Sequence, residues 1–135
     1  MSYLNPIGEA VRFGLSYEKM RLEAASYNLA IANVAIQNNQ NSAGLSVSVS
    51  ASPFANALGL PVLVKQTENT DVHRKVHDPH NPNANADGDV LYPNIDPTHE
   101  MTTLVSATRA YEANVRAFNT IHQMSSKALE IGGRR

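Results

Sequence analysis

Proline is excluded from two long stretches of this chain and crowded into the segment between them. The seven prolines fall at Pro6, Pro53, Pro61, Pro79, Pro82, Pro93 and Pro97, so residues 7–52 and 98–135 contain none. A proline inside a helix removes a backbone donor and costs about 3 kcal/mol. Two proline-free flanks around a punctuated middle therefore predict helix, irregular insert, helix. Asn5-Pro6 and Asp96-Pro97 each set a capping side chain before proline at the first helical position. Glu9 and Glu100 follow in or beside the first turn, where negative charge suits the helix dipole. Gly132-Gly133 supplies a stop, and Arg134 and Arg135 add positive charge at the C-terminal end. Helices over Pro6–Gln37 and Pro97–Ile131 would reach roughly 48 and 52 Å at about 1.5 Å per residue. Near-equal lengths favour an antiparallel pair.

The apolar spacing says what such helices need. In the second flank Met101, Leu104, Thr108, Tyr111, Val115, Phe118, His122, Ser125 and Leu129 keep the 3,4 spacing of a heptad seam. A second seam runs beside it through Ala107, Ala110, Asn114, Ala117, Ile121, Met124, Ala128 and Ile131. Two adjacent seams form a face wider than one partner helix covers, so this helix should touch at least two neighbours. The first flank is weaker: Leu4, Val11, Leu15, Leu22, Ala25, Leu29, Ala32 and Ile36 keep the period, while Gly8 and Glu18 interrupt it. Gly14 lowers helix propensity in its early turns. Asn28, Asn33, Asn114 and Asn119 also cost propensity, and a polar residue at a seam often fixes register and partner. A satisfied polar group inside a bundle accounts for them equally well.

Between the flanks, Leu45–Val49 alternates with serine, Leu60–Gln66 is short and β-branched, and Val72–Val76 alternates loosely. Each reads as a short strand, and Val90-Leu91-Tyr92 closes a small sheet. Turn-forming residues fill Asp78 to Gly88. The fold class is thus mainly α, with two long terminal helices pairing as an antiparallel coiled coil and a small β-rich irregular middle insert. Residues 1–37 and 96–135 would form one discontinuous helical domain, and 38–95 a small β-rich one.

Chemistry is sparse. There is no cysteine, which removes thiol nucleophiles, disulfides and cysteine zinc sites together. The formal net charge of −1 offers no basic field for nucleic acid. No apolar run approaches the ~18 residues of a membrane span, so no membrane insertion is expected. No basic segment followed by an apolar one marks a cleaved signal peptide. His73 and His77 share a strand face with His80 on the following turn, which raises a zinc site, but exposed strand histidines explain the same letters. Asn83-x-Asn85-x-Asp87-Gly88 imitates the front of a calcium loop, yet it starts on a neutral residue and has Asn94 where a bidentate Glu is needed. No G-x-S-x-G elbow or phosphate-cradling glycine loop is present. Glu112 is placed to pair with Arg116 and Arg109 on a solvated helix surface. No cofactor and no catalytic residue is expected.

Two stretches carry a resemblance. Met20-Arg21-Leu22-Glu23-Ala24-Ala25-Ser26-Tyr27-Asn28-Leu29-Ala30 resembles the N-terminal signature of flagellar rod and hook proteins. Val76-His77-Asp78-Pro79-His80-Asn81-Pro82, Ala86-Asp87-Gly88, Tyr92-Pro93-Asn94 and Ala107-Thr108-Arg109-Ala110-Tyr111-Glu112-Ala113-Asn114-Val115 follow in the order of the flagellar basal-body rod protein family, in particular its proximal-rod members. The sequence departs from the family in Ile31, where Asn-Leu-Ala-Asn-Ala is usual, and in Leu45–Val49, which replaces a tyrosine- and basic-rich segment. The resemblance implies a non-enzymatic subunit of the flagellar rod in the bacterial basal body. It implies export by the flagellar type III apparatus and polymerisation with copies of itself and other rod proteins to transmit torque. Subunit packing would then fall on Leu15, Leu22, Asn28, Leu29 and Asn33 in the first helix. In the second it would fall on Leu104, Tyr111, Asn114, Val115, Phe118, Ile121, Met124 and Leu129. A coiled-coil adaptor of a flagellar or related assembly is the alternative, with a histidine-site metalloenzyme behind it.

Overall fold

The computed structural model describes residues 4–36, 44–50, 63–69 and 73–133. Helix α1 spans Leu4–Ile31 and helix α2 spans Pro97–Gly132. Between them lie strands β1 (Gly44–Ser50), β2 (Leu63–Asn69), β3 (His73–His77) and β4 (Asp89–Pro93). The mainly α architecture with a small β-rich middle is therefore present.

Several boundaries differ from the sequence expectation. The first helix starts at Leu4 rather than capping on Asn5, and it stops at Ile31 instead of Gln37. Pro6 then sits in the first turn, where its missing N–H has no intrahelical partner to lose. At 28 and 36 residues the helices are about 42 and 54 Å long, so they are unequal. After Ile31 the chain turns, and the Ile36 N–H bonds the Leu91 carbonyl at 2.8 Å. That bond draws Ile36 away from helix and onto the edge of β4, an outcome that helical spacing alone does not reveal. The polar run Asn38–Ser42 and the first part of the Leu60–Gln66 strand lie outside the described residues.

The start of α2 follows the expected chemistry. Asp96 Oδ1 accepts from the Thr98 N–H at 2.9 Å, and Pro97 follows it at the first helical position. At the other end Gly133 N–H bonds the Leu129 carbonyl at 2.9 Å.

The strands form two separate antiparallel hairpins, β1–β2 and β3–β4, rather than one small sheet. In the first, Ser46 and Ser48 hydroxyls donate across to the Thr67 and Lys65 carbonyls at 3.2 and 3.4 Å. The connection of the second is built from successive Asx turns. Asp78, Asn81 and Asn85 side-chain oxygens accept from the N–H groups of His80, Asn83, Asp87 and Asp89. Gly88 closes that loop at φ +78°, and a Cβ there would also lie 3.1 Å from the His77 ring. Only glycine meets both conditions without strain.

Among the described residues the buried apolar core is small and rich in alanine: Ala24, Ala25, Ala32 and Ala107, with Ile36 and Val90. Asn28 is buried among them and uses its whole amide. Its Oδ1 accepts from the Leu45 N–H, and its Nδ2 donates to the Leu45 carbonyl at 2.8 Å and to Glu100 Oε1 at 3.1 Å. One side chain thus joins α1, β1 and the first turn of α2. Each hydrogen bond contributes about 1 kcal/mol net, and buried groups left unpaired cost more. Asn28→Ala should lower unfolding stability by ~2 kcal/mol in urea titration. The Leu45 amide should show the largest rise in hydrogen exchange in that variant.

Candidate assembly surfaces

Contacts between α1 and α2 run in opposite chain order. Gly14 meets Asn114, Arg21 Nη2 reaches Ser106 Oγ at 3.4 Å, and Asn28 meets Glu100. Small residues let the helices approach closely. A Cβ built on Gly14 would lie 2.9 Å from Asn114 Nδ2, so the glycine makes room for the amide. Glu18 interrupts the apolar seam because it pairs with Arg21, Oε2 to Nη1 at 3.0 Å, on the inner side of α1. The Arg21 guanidinium also lies 5.6 Å from the centre of the Tyr17 ring. These roles were not assigned from the sequence, although the propensity cost of Gly14 and the break at Glu18 were its signals.

Hairpin β1–β2 covers one flank of the helices. Leu45, Ser46 and Val47 border a hollow with Arg21, Ala24 and Ala25 of α1 and with His99, Glu100 and Thr103 of α2. At 100° per residue, the heptad-spaced Leu15, Leu22 and Leu29 fall on the other flank of α1. All three are half-buried. Leu104, Val115, Phe118, Ile121 and Asn114 of α2 are also half-buried, whereas Asn28 is buried. Asn33, Tyr111, Met124 and Leu129 are exposed. The structure therefore gathers most of these residues around the helix contact while leaving large apolar atoms uncovered.

The last turns of α2 are open to solvent. The contact register sets Leu4, where α1 begins, level with about residue 124, so the last turns of α2 extend past it. Met124 is 65% exposed, Leu129 58% and Ile131 81%. Met124 and Ile131 share one face of the helix and Leu129 lies on the far side, so large apolar atoms are exposed around this end.

The three candidate metal-binding histidines lie on the β3–β4 hairpin, apart from these surfaces. His73, His77 and His80 are exposed, and His77 Nδ1 lies 3.1 Å from Asp89 Oδ1 across the β3–β4 hairpin. Among the described residues, no three His, Cys, Asp or Glu side chains converge as a metal would require. On α2, Glu112 pairs with Arg116 at 4.0 Å. No described helix is long and apolar enough to cross a membrane.

Residues 88–131, which are β4 and most of α2, match the family described as flagellar basal body rod FlgEFG protein C-terminal. The chain is 36% identical to the flagellar basal-body rod protein FlgC of Escherichia coli O6:H1, over 98% of this chain and 99% of that one. It is 34% identical to FlgC of Salmonella typhimurium over the same shares. The chain belongs to the FlgC family of flagellar basal-body rod proteins. The FlgC of Bacillus subtilis is 54% identical over a shorter match, 50% of this chain and 45% of that one. The family-model match to this FlgC-family chain begins at Gly88, the residue that closes the turn before β4.

The fit of Gly14 against Asn114 generates a double-mutant test. Alanine is favoured over glycine in a helix by about 1 kcal/mol. Gly14→Ala alone should realise little of that gain, because Asn114 must move aside. In an Asn114→Ala background the same change should stabilise by ~1 kcal/mol, so the cycle should show a coupling of about 0.5–1 kcal/mol. Equal effects in the two backgrounds, measured by urea unfolding, would disprove the contact.

Proposed function

We propose that this chain is a structural subunit of the bacterial flagellar basal-body rod. In this reading the terminal helices pack as an antiparallel coiled coil, and their remaining apolar faces join copies of the chain and other rod proteins. The observation that carries it is the match to FlgC relatives along nearly the whole chain. The helix surface supports it physically. Among the described residues, a buried core of four alanines, one isoleucine and one valine leaves Met101, Val105, Met124, Leu129 and Ile131 exposed, which suits a subunit completed by its neighbours.

Residues 1–37 and 96–135 would then line the rod as one helical unit, with 38–95 as an outer unit. Asn28 fits this division, since it fastens the start of the outer unit to both helices. Leu15, Leu22, Leu29, Leu104, Val115, Phe118 and Ile121 are the proposed packing residues around the helix contact, with Asn33, Tyr111, Met124 and Leu129 as outward contacts. Such a subunit transmits torque through repeated, heterologous contacts, which extend into a polymer instead of closing. Export would proceed through the flagellar type III apparatus without a cleaved leader. No residue is assigned a catalytic role.

Purified basal bodies from the source bacterium should contain the chain, and its deletion should abolish rods and motility. Leu29→Ala and Phe118→Ala each remove a half-buried side chain, so one copy loses part of the ~2–5 kcal/mol typical of full burial. Repeated along the polymer, that loss should reduce rods at least tenfold while secreted protein stays within about twofold of wild type. Normal motility in both variants would remove the packing argument. Joint replacement of His73, His77 and His80 by alanine should leave rods and motility intact; loss of both in a folded, exported variant would assign these histidines a function.

A further inference from the structure

Two shallow grooves lie on the outer faces of the helices, reaching their mutual contact only at the edges formed by Leu22 and Ser106. One is on α1, with Lys19, Leu22, Glu23, Ser26, Tyr27 and Ala30. The other is on α2, with Met101, Thr102, Val105, Ser106 and Arg109. Each has apolar atoms in solvent: Tyr27 is 43% exposed, Val105 49% and Met101 55%. Beside each groove a cation and an anion lie about one turn apart: Lys19 and Glu23 on α1, paired with each other at 3.6 Å, and Arg109 and Glu112 on α2, the latter paired with Arg116 at 4.0 Å. These exposed pairs contribute little within one chain and can exchange partners. Among the described residues Arg109 has no ion pair.

We propose that the outer face of α1 in one copy binds the outer face of α2 in the next, antiparallel, with Arg109 on Glu23 and Glu112 on Lys19. The proposal rests on the rod reading and names one of its contacts. Direction follows from the charges. In a parallel arrangement, bringing Arg109 to Lys19 also brings Glu112 beside Glu23, so both pairs are like-charged. Antiparallel alignment makes both pairs opposite. It is also the relation that copies sharing one orientation must have, because α1 and α2 run in opposite directions within each chain.

Register follows as well. Inside the chain, Arg109 is level with Lys19, as the meeting of Gly14 with Asn114 and Asn28 with Glu100 requires. Setting Arg109 on Glu23 shifts the second copy by four residues, about 6 Å along the axis. That shift places Val105 on Tyr27 and Met101 beside Ala30. Apolar burial supplies the attraction, and the charges select register and partner.

The chain has no cysteine, so a cross-link reports this contact without background. Glu23→Cys with Arg109→Cys should, on oxidation of purified basal bodies, give a ladder of dimers, trimers and larger species. Either single variant should give none. Within one chain the two positions face outward from different helices and lie a turn apart in level, so they do not bridge. Glu23→Arg or Arg109→Glu should each cut rods at least tenfold with helicity unchanged by circular dichroism. Co-production of these two single variants should restore rods to within about threefold of wild type.

No ladder in basal bodies that contain the double-cysteine variant would overturn the pairing while leaving the rod reading intact. Dimers of Glu23→Cys alone would also overturn it, in favour of a closed contact between two α1 helices. Failure of the charge-reversed variants to complement each other would do the same. Absence of the wild-type chain from basal bodies is the separate failure of the rod reading. The same oxidation, applied to the concentrated full chain, then decides the pairing.

Discussion

The amide of Asn28 is the point on which the rest of the arrangement turns. It is buried on α1, and its donors and acceptor go to two other parts of the chain, the backbone of Leu45 in β1 and the carboxylate of Glu100 in α2. Leu45 receives both of these bonds in the manner of a neighbouring strand, so the start of β1 is held by a helix side chain on one edge and by β2 on the other. An alanine-rich core this thin does not define the relative positions of three elements by packing alone. Directional bonds do so here, because each wrong placement leaves a buried polar group unpaired.

Much of the architecture was legible in the sequence, and the residues show why. Proline placement has a fixed steric meaning, so Pro97 behind Asp96 located the start of α2 to the residue. The strict alternation of Leu45–Val49 with serine gave β1 for a similar reason, and the serine hydroxyls bond the partner strand. The end of α1 was not legible, because the chain after Ile31 turns to bond Leu91 through Ile36, a partner far away in the sequence. Nor was the division into two hairpins, since strand propensity does not say which strand pairs with which.

The proposed packing residues divide along the same line. Spacing identified Leu15, Leu22 and Leu29 as a stripe, and they do form one, half-buried on one flank of α1. Periodicity could not reveal that Gly14 is a seat for Asn114, because that relation depends on the axial register of two helices. The asparagines show the limit well. All four looked alike as costs to helix propensity, yet Asn28 is buried and fully bonded, Asn114 is half-buried against Gly14, and Asn33 and Asn119 face solvent. Local cost marks a residue as interesting; tertiary placement decides what it does.

The unequal helices have a mechanical consequence. A pair of equal rods ends in a flat butt, and stacked copies would then share transverse planes where little material crosses. Here α2 is eight residues longer than α1, 36 against 28, so the end is stepped. Stepped ends overlap when stacked, like courses of brick with staggered joints. In such a stack, shear between successive layers would be carried along the side of a helix rather than across its tip.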